Sequence, residues 1–298
     1  MQTATEQLRQ PSNVLFLQVA AVYALVAVCV FLFSGLPLRL NGVFLLASVA
    51  AWAIIGWSQF ALFNALHEGL HRRFGDPHRD RLCYALSAYP VGFDDSYRRV
   101  HLDHHKYFGD PARDPDYPNY GKFPVSRMDF LKQLALNLCG WYAILQFLGI
   151  RQGGTSEQED VPSRAIVPIA LAQILLLLLF SVLVGWFYYI WLWLIPLVTF
   201  GKFFSSTRAF CEHGSPDNSL TIRTITGSFL GEKVFGVFCF HYHAEHHEFV
   251  GVPYNQLQQV HQLEAEEMYT GSRVEGVRYE HFERGYFQLL HQWYKGLP

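Results

Sequence analysis

The sequence HYHAEHH (residues 241–247) places four histidines within seven positions. Two shorter clusters precede it, HEGLH at residues 67–71 and HLDHH at residues 101–105. Histidines separated by three or four positions share one face of a helix and can hold one ion together. The three stretches therefore predict a common metal centre, and we expect the rest of the chain to bring them together.

The distribution of apolar residues indicates a membrane protein. The chain has 298 residues and is 51% hydrophobic, so its average composition alone does not assign it to the membrane class. Three stretches without charge stand out, at residues 13–33, 42–66 and 165–201. About 18 or more apolar residues in a row are typical of a transmembrane helix, and the last stretch is long enough for two. We expect a single all-α integral-membrane domain over residues 1–298, with spans at about 13–33, 42–66, 165–184 and 186–205.

Four spans place residues 67–164 and 206–298 on one side of the membrane, as a helical cap that carries all three histidine clusters. The short loops on the opposite side contain only Arg39 as a basic residue, so the positive-inside rule places the cap and both termini in the cytoplasm. Within the cap, residues 129–150 carry a polar stripe and predict a helix that lies in the membrane interface. Residues 151–163 are polar and predict a linker.

Composition also limits the chemistry. The net charge of −2 gives no electrostatic case for nucleic-acid binding. The five cysteines are scattered without a Cys-x-x-Cys pair, which disfavours a thiolate site.

Imidazole suits iron, zinc and copper alike, so the ligand type does not select the metal. Eight histidines with the right spacing exceed the four ligands of a single structural ion and indicate two ions. They are His67, His71, His101, His104, His105, His243, His246 and His247.

Carboxylates in and near the clusters are candidates to orient the histidine rings, because metal-bound histidines usually donate their second N–H to such a group. These candidates are Glu68, Asp103, Asp110, Asp114 and Glu245. His241 fits three roles, a ring that supports a ligand, a further ligand or a surface residue, and we favour the first.

The order and spacing of the three clusters resemble the three histidine boxes of the membrane fatty acid desaturase superfamily. YFGDPARDPD (residues 107–116) is similar to the segment after the second box in acyl-lipid and sphingolipid desaturases. RAFCEH (residues 208–213) resembles the extra-histidine segment after the fourth helix, and VPYNQL (residues 252–257) resembles the segment after the third box. The resemblance covers about residues 67–261.

This resemblance implies a di-iron centre that uses molecular oxygen and two electrons to oxidise an unactivated C–H bond of a fatty acyl or lipid substrate. By position, it makes His213 a ninth iron ligand beside the eight histidines named above. It implies no catalytic side chain beyond the metal ligands. Desaturation is the leading reaction. A fatty acid hydroxylase or an oxidative decarboxylase is the alternative on the same scaffold, and a carotenoid or another small natural product is an alternative substrate.

The chain departs from the family pattern at several positions. His241 stands where related sequences often carry asparagine or proline, and the third box begins with His243 rather than the glutamine of front-end desaturases. The sequence has no haem-binding His-Pro-Gly-Gly segment, so we expect a separate electron donor of the ferredoxin, rubredoxin or cytochrome b5 type.

A metal transporter is the alternative from another class. Transport ligands would be expected inside the spans, near the bilayer midplane. The spans instead contain glutamine, asparagine and hydroxyl groups, and no histidine precedes their cytoplasmic ends.

Overall fold

Helices make up most of the structure, a computed structural model that describes residues 13–37, 41–72, 74, 76–147, 166–270 and 276–298. The helices are α1 (Val14–Ser34), α2 (Gly42–Leu70), α3 (Pro77–Ser87), α4 (Tyr97–Tyr107), α5 (Tyr117–Tyr120), α6 (Arg127–Leu138), α7 (Trp141–Phe147), α8 (Ile166–Leu183), α9 (Trp186–His213), α10 (Phe229–Val234), α11 (His243–Glu248), α12 (Leu257–Thr270) and α13 (Gly285–Gly296). Two strands, β1 (Leu220–Ile225) and β2 (Val277–Phe282), complete it, with short 3-10 turns at Tyr89–Val91, Val237–Cys239 and Tyr254–Gln256.

The four predicted spans are confirmed as α1, α2, α8 and α9, which are long and apolar enough to cross a membrane. Two of these helices continue past the predicted membrane spans of residues 42–66 and 186–205, with α2 reaching Leu70 and α9 reaching His213. The additional turns carry His67 and His213, so these histidines are attached rigidly to membrane helices.

The outer faces of the spans fit a lipid environment. Large apolar side chains remain exposed along them, with exposed fractions of 73% for Leu17, 73% for Leu46 and 83% for Val182. Exposed apolar surface costs about 25 cal/mol per Å² in water, a cost that a bilayer removes. These faces and the four spans make the chain an integral membrane protein.

Helices α2 and α9 approach each other closely at Gly56. A Cβ atom at this glycine would lie 2.4 Å from Cβ of Phe200 and 2.8 Å from the backbone nitrogen of Gly201. Small residues permit such close helix approach in membranes. Next to this contact, α9 contains two stretches with wider π-type turns, Ile190–Leu194 and Leu197–Gly201. The contact holds the two helices together below their histidine-bearing ends.

Polar side chains within the spans contribute to the fold. Each of four such residues makes a hydrogen bond to another segment, which a buried polar group in a membrane requires. The pairs are Gln18 with the Tyr254 hydroxyl, Gln59 with the Trp193 carbonyl, Asn64 with Arg208 and Gln173 with the Pro90 carbonyl.

The predicted interfacial helix at residues 129–150 corresponds to two helices, α6 and α7. They are separated at Gly140, whose φ of +77° lies in the left-handed region that a helix interior excludes. Large apolar side chains of Met128, Leu131 and Ile144 are exposed on this pair. The placement of the pair in the interface remains a prediction. Residues 148–165, which include the predicted linker, lie outside the described residues, as do residues 1–12.

A small parallel sheet adds strand structure that the sequence analysis did not predict. Strand β1 pairs with β2 from Leu220 opposite Val277 to Ile225 opposite Phe282. The third histidine cluster lies in the connection between these strands, and the backbone N–H of Ile225 donates to the carbonyl of His241 at 3.0 Å. The strands therefore fix the start of this cluster.

Candidate metal centre

Four segments supply the histidines of the site. His67 and His71 lie at the end of α2, and His213 ends α9. The second cluster lies on α4 and the third on α11, each with histidines three and four positions apart. Their spacing directs these side chains toward the same interior region of the cap. Six of the nine predicted ligands are almost fully buried there. These six are His67, His101, His104, His213, His243 and His246.

The first group consists of His67, His71, His101 and His246, each of which offers a ring nitrogen within 4.8 Å of the others. Nε2 of His71 lies 3.0 Å from Nε2 of His101. Nitrogens that share a metal ion at about 2.1 Å are separated by about 3 Å, so this spacing suits a common ion. Three different segments, α2, α4 and α11, contribute to this group.

The second group consists of His104, His213 and His247, again with ring nitrogens within 4.8 Å of one another. His243 joins it, because its Nε2 lies 2.9 Å from Nε2 of His213. His105 lies between the two groups.

The contacts of His105 reach both groups. Its Nε2 is 2.9 Å from that of His101 and 3.2 Å from that of His246, and its ring centroid is 4.3 Å from that of His247. All nine histidines predicted as ligands are therefore brought together in two adjoining groups.

The electrostatics favour neutral imidazole, the form that binds metal. Burial, followed by the proximity of the other histidines, holds the pKa values of His101, His243, His246 and His247 well below the usual 6.5. The buried Nε2 of His247 has no hydrogen-bond partner among the described residues. A buried nitrogen without a partner is costly, and a metal ion would satisfy it. The donor set therefore fits the two ions that the sequence analysis predicted.

Asp114 orients one ring of the second group. Nδ1 of His104 donates to Oδ1 of Asp114 at 2.9 Å, which leaves Nε2 facing the other histidines. Oδ2 of Asp114 accepts from the Tyr120 hydroxyl and, at 3.0 Å, from the backbone N–H of Gly109. Burial alone would lower the pKa of His104, but the bond to Asp114 and the charge of Asp116 raise it.

Glu212 is a buried acid that the sequence analysis missed. Its carboxylate accepts from Nε of Arg208 at 2.8 Å and from the Tyr286 hydroxyl at 3.1 Å. Oε2 of Glu212 lies 3.4 Å from Nδ1 of His243. The sequence did offer one indication of Glu212, because it directly precedes His213. A side chain at that position lies next to the helix face that carries His213.

Glu245 connects the third cluster to the surrounding cap rather than to another predicted ligand. Its fully buried carboxylate accepts from the Thr224 hydroxyl, from Nδ1 of His261 at 2.5 Å and from the Tyr269 hydroxyl at 2.7 Å. His261 received no role from the sequence. The four side chains lock α11 against β1 and α12.

The remaining candidate acids occupy different positions. Asp103 faces away from the histidines and lies 3.8 Å from Arg99, because the second position after His101 falls on the opposite side of α4. Asp110 binds Nε of Arg113 at 2.6 Å near the surface. The structure thus corrects the interpretation of these two acids as supports for histidines. Glu68 is buried on α2.

His241 is buried beside the site without belonging to either group of ring nitrogens. Its Nδ1 lies 3.2 Å from the carbonyl oxygen of Gly236, and its ring packs on Tyr242 at 4.3 Å between centroids. A Cβ on Gly236 would lie 2.5 Å from Cβ of His241 and 2.7 Å from Nδ1 of its ring. These contacts give His241 a packing role in the turn that leads into α11.

The fold and the site together define an integral-membrane protein with two buried histidine groups that could each hold a metal ion. A family model described as fatty acid desaturase matches residues 44–278, most of the chain. The chain belongs to the fatty acid desaturase family. A search of curated proteins found no significant match.

Proposed function

We propose that this chain is a membrane-bound non-haem di-iron oxidoreductase that introduces a double bond into a fatty acyl or lipid substrate. The observation that carries the proposal is the convergence of nine histidines, from the ends of two spans and from helices α4 and α11, in a member of the desaturase family. One iron would be held by the first group of histidines and the other by the second, with His105 between them. Two bound iron ions would supply the activation of molecular oxygen.

The protein's own contribution is to keep the imidazoles neutral, oriented and shielded from water. Burial keeps His101 and His246 unprotonated at neutral pH, since their pKa values lie well below 6.5. Asp114 fixes the ring of His104, while Arg208 and Glu212 neutralise each other beside His243. Such supporting partners typically change metal affinity by about 10–100-fold when they are lost.

The overall reaction determines which partners are needed. Removal of two hydrogen atoms from adjacent carbons yields two electrons and two protons. Reduction of oxygen to two water molecules consumes four of each, so two electrons and two protons must come from outside. We therefore propose a separate donor of the ferredoxin, rubredoxin or cytochrome b5 type.

The polar contacts inside the spans support an enzyme over a transporter. Gln59 and Gln173 each bind the backbone of a neighbouring segment, as structural residues do. A transporter would be expected to direct such groups toward a cargo near the midplane. Metal uptake into vesicles containing the purified protein, without oxygen consumption in any lipid, would contradict the proposal.

The central experiment compares lipids from a host that expresses the chain with a compatible reductase. The wild-type product should be two mass units lighter than its precursor, and the His246→Ala variant should form none while remaining in the membrane. His291→Ala, at an exposed position on α13, is the matched control and should be fully active. A product heavier by one oxygen atom would instead assign hydroxylation, and a terminal alkene would assign decarboxylation.

We also propose that the histidine-bearing cap faces the cytoplasm. Cys139, an exposed thiol at the end of α6, can test this orientation. A membrane-impermeant maleimide should label it in inside-out vesicles and not in intact cells. Labelling in intact cells would reverse the orientation.

A further inference from the structure

A cavity of about 70 Å³ adjoins the histidines. His67, His101 and His213 form part of its wall, so it touches both histidine groups. Phe63 and Lys202 belong to the same wall and precede His67 and His213 on α2 and α9. Because both helices enter the cap from the membrane, this part of the wall lies on the membrane side of the histidines.

We infer that this cavity receives a small oxygen-bearing head group of the substrate, a carboxyl or a hydroxyl, and that the oxidised C–H bond lies close to that end. The inference rests on the proposed oxidation and adds a substrate class to it: amphiphiles with a small polar end, oxidised near that end rather than far along the alkyl chain.

The lining of the cavity is the first reason. Lys202, Asp116, Asn119 and Ser206 all contribute to it, and together they offer an ammonium group, a carboxylate, an amide and a hydroxyl. Methylene groups in this cavity would leave the ammonium and the carboxylate desolvated, which is strongly unfavourable.

An unsatisfied donor is the second reason. Ser206 is 6% exposed, and its hydroxyl has no hydrogen-bond partner among the described residues. The neighbouring Arg208 and Glu212 are already engaged with each other at 2.8 Å. Ser206 therefore remains as a donor for an incoming oxygen atom, and the Lys202 ammonium lines the same cavity. Oδ1 of Asp116 accepts from Nδ2 of Asn119 at 3.4 Å, so its Oδ2 is the oxygen that would accept a hydroxyl proton. A carboxyl or hydroxyl group would complete this set.

Size is the third reason. One water molecule needs at least about 10–15 Å³ of cavity volume measured in this way, so the cavity has room for roughly five. A carboxyl or hydroxymethyl group fits into that space. A phosphate-linked or nucleotide-linked head group is much larger and would have to remain outside. Since the cavity touches His67 and His213 directly, a head group held here places the nearest carbons beside the histidines.

Direct binding tests the inference without requiring turnover. Purified, iron-loaded protein in detergent would be titrated with hexadecanoic acid, hexadecan-1-ol and hexadecane. We expect the acid or the alcohol to bind at least tenfold more tightly than the hydrocarbon, and the better of the two identifies the head group. Equal binding of all three would overturn the inference.

Two variants link the binding to the cavity. Lys202→Met should weaken binding of the preferred amphiphile at least tenfold, and Ser206→Ala should weaken it several-fold. Lys132→Met, at an exposed position on α6, is the matched control and should bind like the wild type. If Lys202→Met reduces the folded yield, Ser206→Ala alone decides, and wild-type affinity in that variant counts against the inference.

The position of oxidation provides the second readout. Fragmentation mass spectrometry of the product should locate the modified carbons within a few bonds of the head group. Oxidation near the middle of the chain would overturn the inference while leaving the proposed function intact. Retained binding of the amphiphile without oxygen-dependent product would instead count against the proposed function alone.

Discussion

Nδ1 of His104 and Oδ1 of Asp114 lie 2.9 Å apart, and both side chains are buried. The bond leaves Nε2 of His104 available for a metal ion. We expect Asp114→Asn to lower iron affinity by roughly 10–100-fold, because the ring loses its charged partner. Iron content of the purified protein after dialysis against a graded chelator measures the effect. Asp110→Asn, whose native carboxylate binds Arg113 near the surface, is the control. Equal iron retention in both variants would contradict a supporting role for Asp114.

Glu245 provides a test of how the third cluster is held. In Glu245→Ala, three donors, the Thr224 hydroxyl, Nδ1 of His261 and the Tyr269 hydroxyl, lose their acceptor. A buried donor left without a partner costs about 1–3 kcal/mol. Thr224 is fully buried and the other two donors are partly buried, so we expect the free energy of unfolding to fall by about 3 kcal/mol. Thermal unfolding in detergent, with and without iron, measures the loss. Asp103→Ala changes an acid on the outer side of α4 and should leave the midpoint unchanged. A wild-type midpoint for Glu245→Ala would refute the locking role.

The buried ion pair between Arg208 and Glu212 should be far more sensitive to truncation than the exposed pair between Arg113 and Asp110. The side chains of the first pair are 7% and 1% exposed, while Arg113 is 64% exposed. Removing one partner of a buried pair typically costs about 3–5 kcal/mol, because the other charge remains buried. We expect Glu212→Ala to lower the unfolding midpoint strongly and Arg113→Ala to have no measurable effect. Similar midpoints for the two variants would show that the buried pair carries no such penalty.

The buried histidines predict how the stability of the metal-free protein depends on pH. The folded-state pKa values of His101, His243, His246 and His247 lie below 6.5, the value expected in the unfolded chain. Below that pH the unfolded state binds more protons, so stability is fully present above about pH 7 and is lost as the pH falls. The opposite shift of His104 offsets only part of this loss.

Unfolding midpoints of the chelated protein between pH 5 and pH 8 measure the effect. The midpoint should be level above about pH 7 and decline below about pH 6.5. The iron-loaded protein should decline more steeply, because protonation also displaces the metal. Greater stability of the metal-free protein in acid would contradict the neutral state of the histidines.

The membrane helices and the grouping of the histidines could be predicted from the sequence because both depend on local patterns. Uncharged runs reveal the spans, and spacings of three and four residues reveal which histidines share a face. The same periodicity could have excluded Asp103, which follows His101 by two positions and therefore points to the other side of its helix.

The partners of the site could not be predicted, because they depend on tertiary contacts. His261 meets Glu245 only after α12 packs on α11, and no local pattern links these positions. Strand β1 is six residues long, and its parallel partner lies beyond α12, so neither strand has a local signal of pairing. Whether Asp110 or Asp114 reaches His104 depends on how the segment after α4 folds back.

The parallel strands have a consequence for the order in which the protein matures. The third histidine cluster emerges from the ribosome between β1 and β2, so its anchoring strand has no partner until Val277–Phe282 has been synthesised. Until then, the histidines on α2 and α4 lack the positioned histidines of the third cluster with which they share the site. Metal binding is therefore expected to follow translation, and a nascent chain halted before residue 277 should not retain the metal.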